Sequence, residues 1–311
     1  RSFEYHVRPI ITVLIFLLLI ISLKYFFVFL RHNLEIFLSI VGRQLFKGMV
    51  RPFFLLFIMK YEDKKMIGVV GGMGPYAGLD LVQKIFDNTQ AKIDQDHIPV
   101  SMISIPHSIE DRTKFLLDNS LRNPAIAIAD VIHKLREQGA TVIGMPCNTA
   151  HAGPIFDEIQ NHIPPDISFV HMIQEVVRYI KNEYSSIQNI GILATKGTMK
   201  TKVYHNELID NKLNPVTISQ DEQDTIVEPA IYDKGFGIKA YSNPVNPEAR
   251  GKLETAVKSL VTEGAETVIL GCTEIPLALP ESNYNGIPLI DSTTILARAL
   301  ILKSNPDSLK K

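Results

Sequence analysis

The chain of 311 residues contains two cysteines, Cys147 and Cys272. Cys147 lies in GMPCNTAH (144–151), straight after the apolar run Thr141-Val142-Ile143. Cys272 lies in GCTEIP (271–276), after another apolar run. Each thiol is expected at the carboxyl end of a strand, with polar residues leading into a helix. Asn148 and Thr149 are good N-cap residues, and Pro276 suits a first helical turn. Free N–H groups at a helix start favour an anion and draw a thiol toward the thiolate.

Several roles are open to such thiols. A lone cysteine is commonly a small buried hydrophobe. A disulfide suits an oxidising compartment, and no other feature suggests secretion. A single nucleophilic thiol, as in a hydrolase, would need a base such as His151 or His171, and it leaves the second cysteine idle. Two thiols facing each other across a pocket suit a different chemistry: one removes a proton from one face of a carbon while the other returns a proton to the opposite face. Backbone N–H groups at helix starts would stabilise the carbanion-like transition state.

The matched contexts belong to a longer repeat. GATVIGMPCNT from Gly139 parallels GAETVILGCTE from Gly264, with the cysteine eight residues after the glycine in both. IGVVGGMG from Ile67 parallels IGILATKG from Ile190, and SFVHMIQEVVRYI from Ser168 parallels PLIDSTTILARAL from Pro288. The offsets, 125, 123 and 120 residues, are nearly equal. Short apolar runs at 66–70, 100–105 and 141–145 read as strands. Apolar spacing at 79–93 and 124–138 reads as helix. This alternation predicts an α/β fold with parallel sheets and right-handed crossovers. The repeat predicts two similar α/β domains related by a pseudo-twofold axis, with the active site in the cleft between them, outside the strand ends. The expected division is 66–170 plus 288–304 for the first domain and 171–287 for the second.

Three other features bear on the site. The loop GGMGPYAG (71–78) follows a strand, and Gly72, Gly74 and Gly78 come close to a dinucleotide fingerprint. The second strand, however, ends in Pro106-His107, without the acidic residue that a ribose needs. The loop therefore reads as a close backbone approach to a small anion. Arg112, after the second strand, and Lys239, in a Gly-rich segment, are candidate partners for a carboxylate. No context for a pyridoxal Schiff base surrounds Lys239.

Composition narrows the field. The chain is 46 % apolar and 21 % charged, with a net charge of −1, so nothing argues for nucleic acid. The nine histidines show no paired ligand spacing, and no metal site or cofactor is expected. Residues 1–58 differ from the rest. The stretch 10–30 is mostly apolar and uncharged apart from Lys24, and bilayers need about 20 such residues. We expect 1–58 to be an extension the fold does not need, with the protein cytoplasmic. The alternative is an anchor through 10–30 with the downstream part in the cytoplasm, since Arg31, Arg43, Lys47 and Arg51 follow the run.

From Met66 to about Ser304 the chain resembles the cofactor-independent aspartate/glutamate racemase family. The matching stretches are GVVGGMGP (68–75), EDRT (110–113), MPCNTAH (145–151), FVHM (169–172), YDKGFGIKA (232–240) and LGCTEIPL (270–277). The resemblance implies catalysis by Cys147 and Cys272. It implies substrate contacts at Met73, Gly74, Asn148, Thr149, Thr273 and Glu274, and recognition of a distal carboxylate by Arg112 and Lys239. It also implies a small acidic amino acid as substrate and a homodimer. Glutamate racemases carry an Asp-Ser-Gly first loop and a Cys-Thr-His second motif. Here Gly-Gly-Met-Gly-Pro and Cys-Thr-Glu point to the aspartate-type branch, although that branch often has threonine at the position of Gly78. Related decarboxylases keep one cysteine. The rival readings are thus a thiol hydrolase or decarboxylase on the same fold, or a binding protein without turnover.

Overall fold

Alternating strands and helices build two sheets. The computed structural model describes residues 65–310 apart from Asn119. The expectations for residues 1–58, including insertion of 10–30, lie outside those residues. Among the described residues no helix is long and apolar enough to cross a membrane.

The first sheet contains β1 (Met66–Gly71), β2 (Val100–Ser104), β3 (Ala140–Gly144) and β4 (Ser168–Val170), all parallel, in the order β2-β1-β3-β4. The second contains β5 (Asn189–Ala194), β6 (Asn214–Val216), β7 (Thr267–Gly271), β8 (Asn283–Tyr284) and β9 (Ile287–Asp291). Its order is β6-β5-β7-β9-β8, parallel except for the β8–β9 hairpin. The two orders correspond strand for strand: β1 with β5, β2 with β6, β3 with β7, β4 with β9. The sequence repeat falls on three of these pairs, β1 with β5, β3 with β7 and β4 with β9. Gly139 and Gly264, at matched places in the repeat, have φ of +98° and +96°. Each ends a helix in the left-handed region that glycine adopts without a Cβ penalty.

The helices that position the site are α1 (Pro75–Asp87), α2 (Arg112–Leu117), α3 (Ala125–Glu137), α4 (Gly153–Gln160), α5 (Met172–Glu183), α6 (Lys196–Thr201), α7 (Val203–Asp210), α8 (Glu228–Tyr232), α9 (Pro247–Thr262) and α10 (Ser292–Ser304). Two of them are exchanged between the sheets. Helix α5 follows β4, yet it buries Ile173, Val176, Val177 and Ile180 with Ile190 and Ile192 of β5. Helix α10 follows β9, yet it buries Leu296, Ala297, Leu300 and Ile301 with Ile67 and Val69 of β1. Each buried Leu, Ile or Val contributes roughly 1.5–3 kcal/mol. The exchange therefore ties the two lobes together by apolar burial on both sides of the site.

Two expectations shift. Residues 288–304 were assigned to the first domain, but strand β9 pairs with β7 in the second sheet, and only helix α10 crosses over. Helix α1 runs Pro75–Asp87, not 79–93, because Pro75 supplies a first-turn residue directly after the glycine loop. Its buried face is Ala77, Gly78, Leu81 and Ile85. Leu79 and Phe86, whose apolar spacing suggests a core face, are 52 % and 38 % exposed. A Cβ on Gly78 would lie 3.0 Å from Met102 Sδ and 3.3 Å from Gly71 Cα. The threonine that the aspartate-type branch often carries there would need Met102 and the Gly71 backbone to give way by a few tenths of an ångström.

Candidate active site

Strand β3 is flanked by β1 and β4, and β7 by β5 and β9. Cys147 follows the end of β3 and Cys272 the end of β7. Both are free and buried, at 5 % and 6 % exposure. Both line one cavity. The first lobe contributes Met73, Arg112, Thr113, Cys147, Asn148 and Thr149 to it, and the second Thr195, Tyr232, Lys239, Cys272, Thr273 and Glu274. The two cysteine loops also touch directly: Thr273 Oγ1, next to Cys272, donates to the carbonyl of Pro146, next to Cys147, at 3.1 Å. The cavity is small and partly enclosed.

A hydroxyl network spans the seam between the lobes. Thr149 Oγ1 lies 3.1 Å from Thr195 Oγ1 and 2.9 Å from Thr198 Oγ1. Tyr232 donates to Thr113 Oγ1 at 3.0 Å. Asn148 does not cap a helix. A short 3₁₀ turn, Asn148–His151, intervenes before α4. The Asn148 amide instead donates to Ser292 Oγ at 3.2 Å and accepts from the Tyr204 hydroxyl at 2.6 Å.

The cations differ in their commitments. Arg112 is buried; its Nη2 donates to the carbonyl of Met73 and its Nη1 to that of Glu110, both at 3.2 Å. Its Nε–H has no hydrogen-bond partner. Burial would lower the guanidinium pKa, but the adjacent Cys147 sulfur and then Asp111 outweigh it, and the net shift is upward. Lys239, expected to meet a substrate carboxylate, is bonded instead to Glu274 Oε1 at 2.5 Å. Glu274 also accepts from the Gly74 N–H at 3.1 Å and from the Cys272 thiol at 3.1 Å. Gly74 thus meets Glu274 rather than open space.

The expectation that helix starts draw both thiols toward the thiolate is overturned at Cys272. Burial, and then the carboxylate of Glu274, push that thiol well above its ordinary value, and Lys239 offsets only part of this. A neighbouring carboxylate and desolvation outweigh the local N–H dipoles.

His151 and His171, considered as bases, serve the scaffold. His151 Nε2 accepts from the Met172 N–H at 3.3 Å, so Nδ1 carries the proton and donates to the Cys147 carbonyl at 3.0 Å. Both ring nitrogens are committed to backbone. His171 accepts from the Gln174 N–H, and its ring packs edge-on against Phe156 and His151. Burial lowers its pKa from 6.5 to about 4, and burial, then His171, push His151 well below 6.5. Between these values the unfolded chain binds protons that the folded protein does not, so stability falls as pH falls through this window. For His171 alone the loss is about 2–3 kcal/mol between pH 6.5 and 4. Urea unfolding at pH 7 and pH 4.5 should show it, and His171→Asn should reduce the acid sensitivity.

Sequence reading missed three cavity residues: Thr113, Thr195 and Tyr232. A signal existed for Thr195, which occupies the place of Gly72 in the IGVVGGMG/IGILATKG repeat. Thr113 and Tyr232 lie beside or within stretches already singled out. Among the described residues no group of three or more His, Cys, Asp or Glu side chains is arranged to hold a metal ion.

The chain belongs to the Asp/Glu/hydantoin racemase family, whose model matches residues 70–300. The aspartate racemase of Picrophilus torridus superimposes with a TM-score of 0.64 at 31 % identity, covering 77 % of this chain and 94 % of that one. The broad specificity amino-acid racemase RacX of Bacillus subtilis (strain 168) is 26 % identical over 242 residues, 76 % of this chain and 96 % of that protein. A glutamate racemase of Pseudomonas putida is 27 % identical over 245 residues, 77 % of this chain and 81 % of its own.

Proposed function

We propose that this chain interconverts L- and D-aspartate without a cofactor, by two-base proton transfer between Cys147 and Cys272. The observation that carries this reading is that both thiols line one cavity and their loops are joined through Thr273 and Pro146. A thiolate on one side takes the α-proton, and the electron pair left on Cα takes a proton from the thiol opposite. The stereocentre inverts and the two sulfurs exchange protonation states. Each turnover therefore leaves the pair ready for the reverse direction.

The remaining assignments rest on the family resemblance and the lining of the cavity. Met73, Asn148, Thr149 and Thr273 line it where the amino-acid backbone would lie, and the unpartnered Arg112 Nε–H, together with Lys239, faces the distal carboxylate. The likeness to the Picrophilus torridus enzyme and the Cys-Thr-Glu motif favour aspartate over glutamate. The two lobes act as halves related by a pseudo-twofold axis, in a cytoplasmic homodimer. A hydrolase that uses His151 as base is disfavoured, because both ring nitrogens of His151 are bonded to backbone.

Chiral chromatography of L-aspartate, L-glutamate and L-alanine after incubation with the protein tests the reading. Racemisation of aspartate at the highest kcat/KM is expected. Binding of aspartate with no racemisation would favour a binding protein instead.

A further inference from the structure

Among the described residues Glu274 is the one carboxylate lining the cavity, and it is 3 % exposed. Its two oxygens are fully engaged. Oε1 accepts from Lys239 Nζ at 2.5 Å and from the first lobe's Gly74 N–H at 3.1 Å. Oε2 accepts from the Cys272 thiol at 3.1 Å. A buried carboxylate anchored at three points cannot swing aside as a surface side chain would. The proton in the contact with Cys272 belongs on sulfur, because a thiolate there would put two anions 3.1 Å apart with no hydrogen between them. The side chain beside Cys147 is of opposite sign, the Arg112 guanidinium. The two sulfurs of the cavity thus have unlike neighbours.

We propose that Glu274 is a positioning residue that keeps the proton on Cys272 in the substrate-free enzyme, so that the two thiols begin in unequal states. The proposal rests on the two-thiol reading of the site and adds which sulfur starts as the acid. Cys147 then removes the first α-proton and Cys272 gives its own proton to the opposite face. After that turnover the proton sits on Cys147, and Cys272 is a thiolate facing Glu274. This less favourable form returns to the starting state through the reverse reaction or by proton exchange with water. Because the equilibrium constant of racemisation is one, kcat/KM must be equal in both directions. The asymmetry therefore appears in kcat and KM separately.

The other charged or titratable groups around Cys272 are Lys239, Arg112, Tyr232 and Cys147. Lys239 favours a thiolate, but its charge is already paired with Glu274. Tyr232 is held neutral, chiefly by burial. Glu274 remains ionised: burial would raise its pKa, but Lys239 and the bond from Cys272 outweigh that and lower it.

The test reads each sulfur without turnover. The full-length protein, free of substrate, is alkylated with iodoacetamide from pH 6 to 10, and each cysteine is followed by mass spectrometry. Cys147 reports access to the cavity in the same tube. In the wild type Cys272 should react more slowly than Cys147. Glu274→Gln should raise the Cys272/Cys147 rate ratio about 10-fold at pH 8 and move the Cys272 midpoint to lower pH. If Glu274→Gln does not fold, Glu274→Asp, with its carboxylate drawn back from the sulfur, should raise the ratio about 3-fold. An unchanged ratio in whichever Glu274 variant folds overturns the proposal. Failure of the racemase reading would show as absent racemisation and leave the alkylation pattern intact.

Discussion

With either cysteine replaced by serine, racemisation of aspartate should fall about 10³-fold, the scale of losing one positioned acid or base. Serine keeps the shape of the side chain, and at position 272 it can still donate to Glu274. Its hydroxyl, however, ionises far above neutral pH and cannot replace a thiolate. The two variants should fail differently. In Cys272→Ser, Cys147 can still take the proton from the enantiomer whose C–H faces it. In Cys147→Ser, Cys272 serves the other enantiomer. Proton NMR in deuterium oxide should therefore show α-proton exchange of one enantiomer in each variant, and of opposite ones. Full racemisation by both variants, or exchange of the same enantiomer in both, contradicts the assignment.

Arg112→Met should raise the KM for aspartate about 30- to 100-fold. That corresponds to about 2–3 kcal/mol, the range for a hydrogen bond to a charged group. Arg112 is buried, its Nε–H is unsatisfied, and its Nη atoms brace the carbonyls of Met73 and Glu110. Methionine fills similar volume but leaves those carbonyls without a donor, so some loss of thermal stability accompanies the change. Arg112→Lys keeps the charge without the fork of donors, and it should recover only part of the affinity. Steady-state kinetics with aspartate, set beside any residual activity on alanine, separates carboxylate recognition from general damage. An equal loss on both substrates removes Arg112 from distal-carboxylate binding.

Much of the fold was legible because the chain says it twice. Strand-helix alternation and three segments recurring at nearly one offset carried the parallel sheets and the equivalence of β3 with β7. The same repeat singled out both cysteines, since strand, cysteine and polar residues recur in sequence neighbours. What was not legible depends on contacts between distant segments. Lys239 and Glu274 are 35 residues apart, and Gly74 and Glu274 are 200 apart, so neither pairing has a local signal. The thiol of Cys272 was misjudged for the same reason. Helix-start dipoles are visible in sequence, whereas burial and the orientation of a carboxylate two residues away are not. Leu79 and Phe86 looked like a core face by type, but the sheet is met by Ala77, Gly78 and Leu81, whose small members allow close approach. Strand β9 was misplaced because the helix after it, not the strand itself, returns to the first sheet.

The shared cavity gives one measurement particular weight: the fate of the α-hydrogen in early turnover. Wild-type enzyme is incubated with L-aspartate in deuterium oxide and stopped while conversion is small. The D-aspartate formed should carry deuterium at Cα while the remaining L-aspartate still carries protium, because the sulfur that takes a proton is not the one that gives it. D-aspartate that keeps the original proton would mean that a single group carried it from one face to the other, and two opposed thiols could not be the bases.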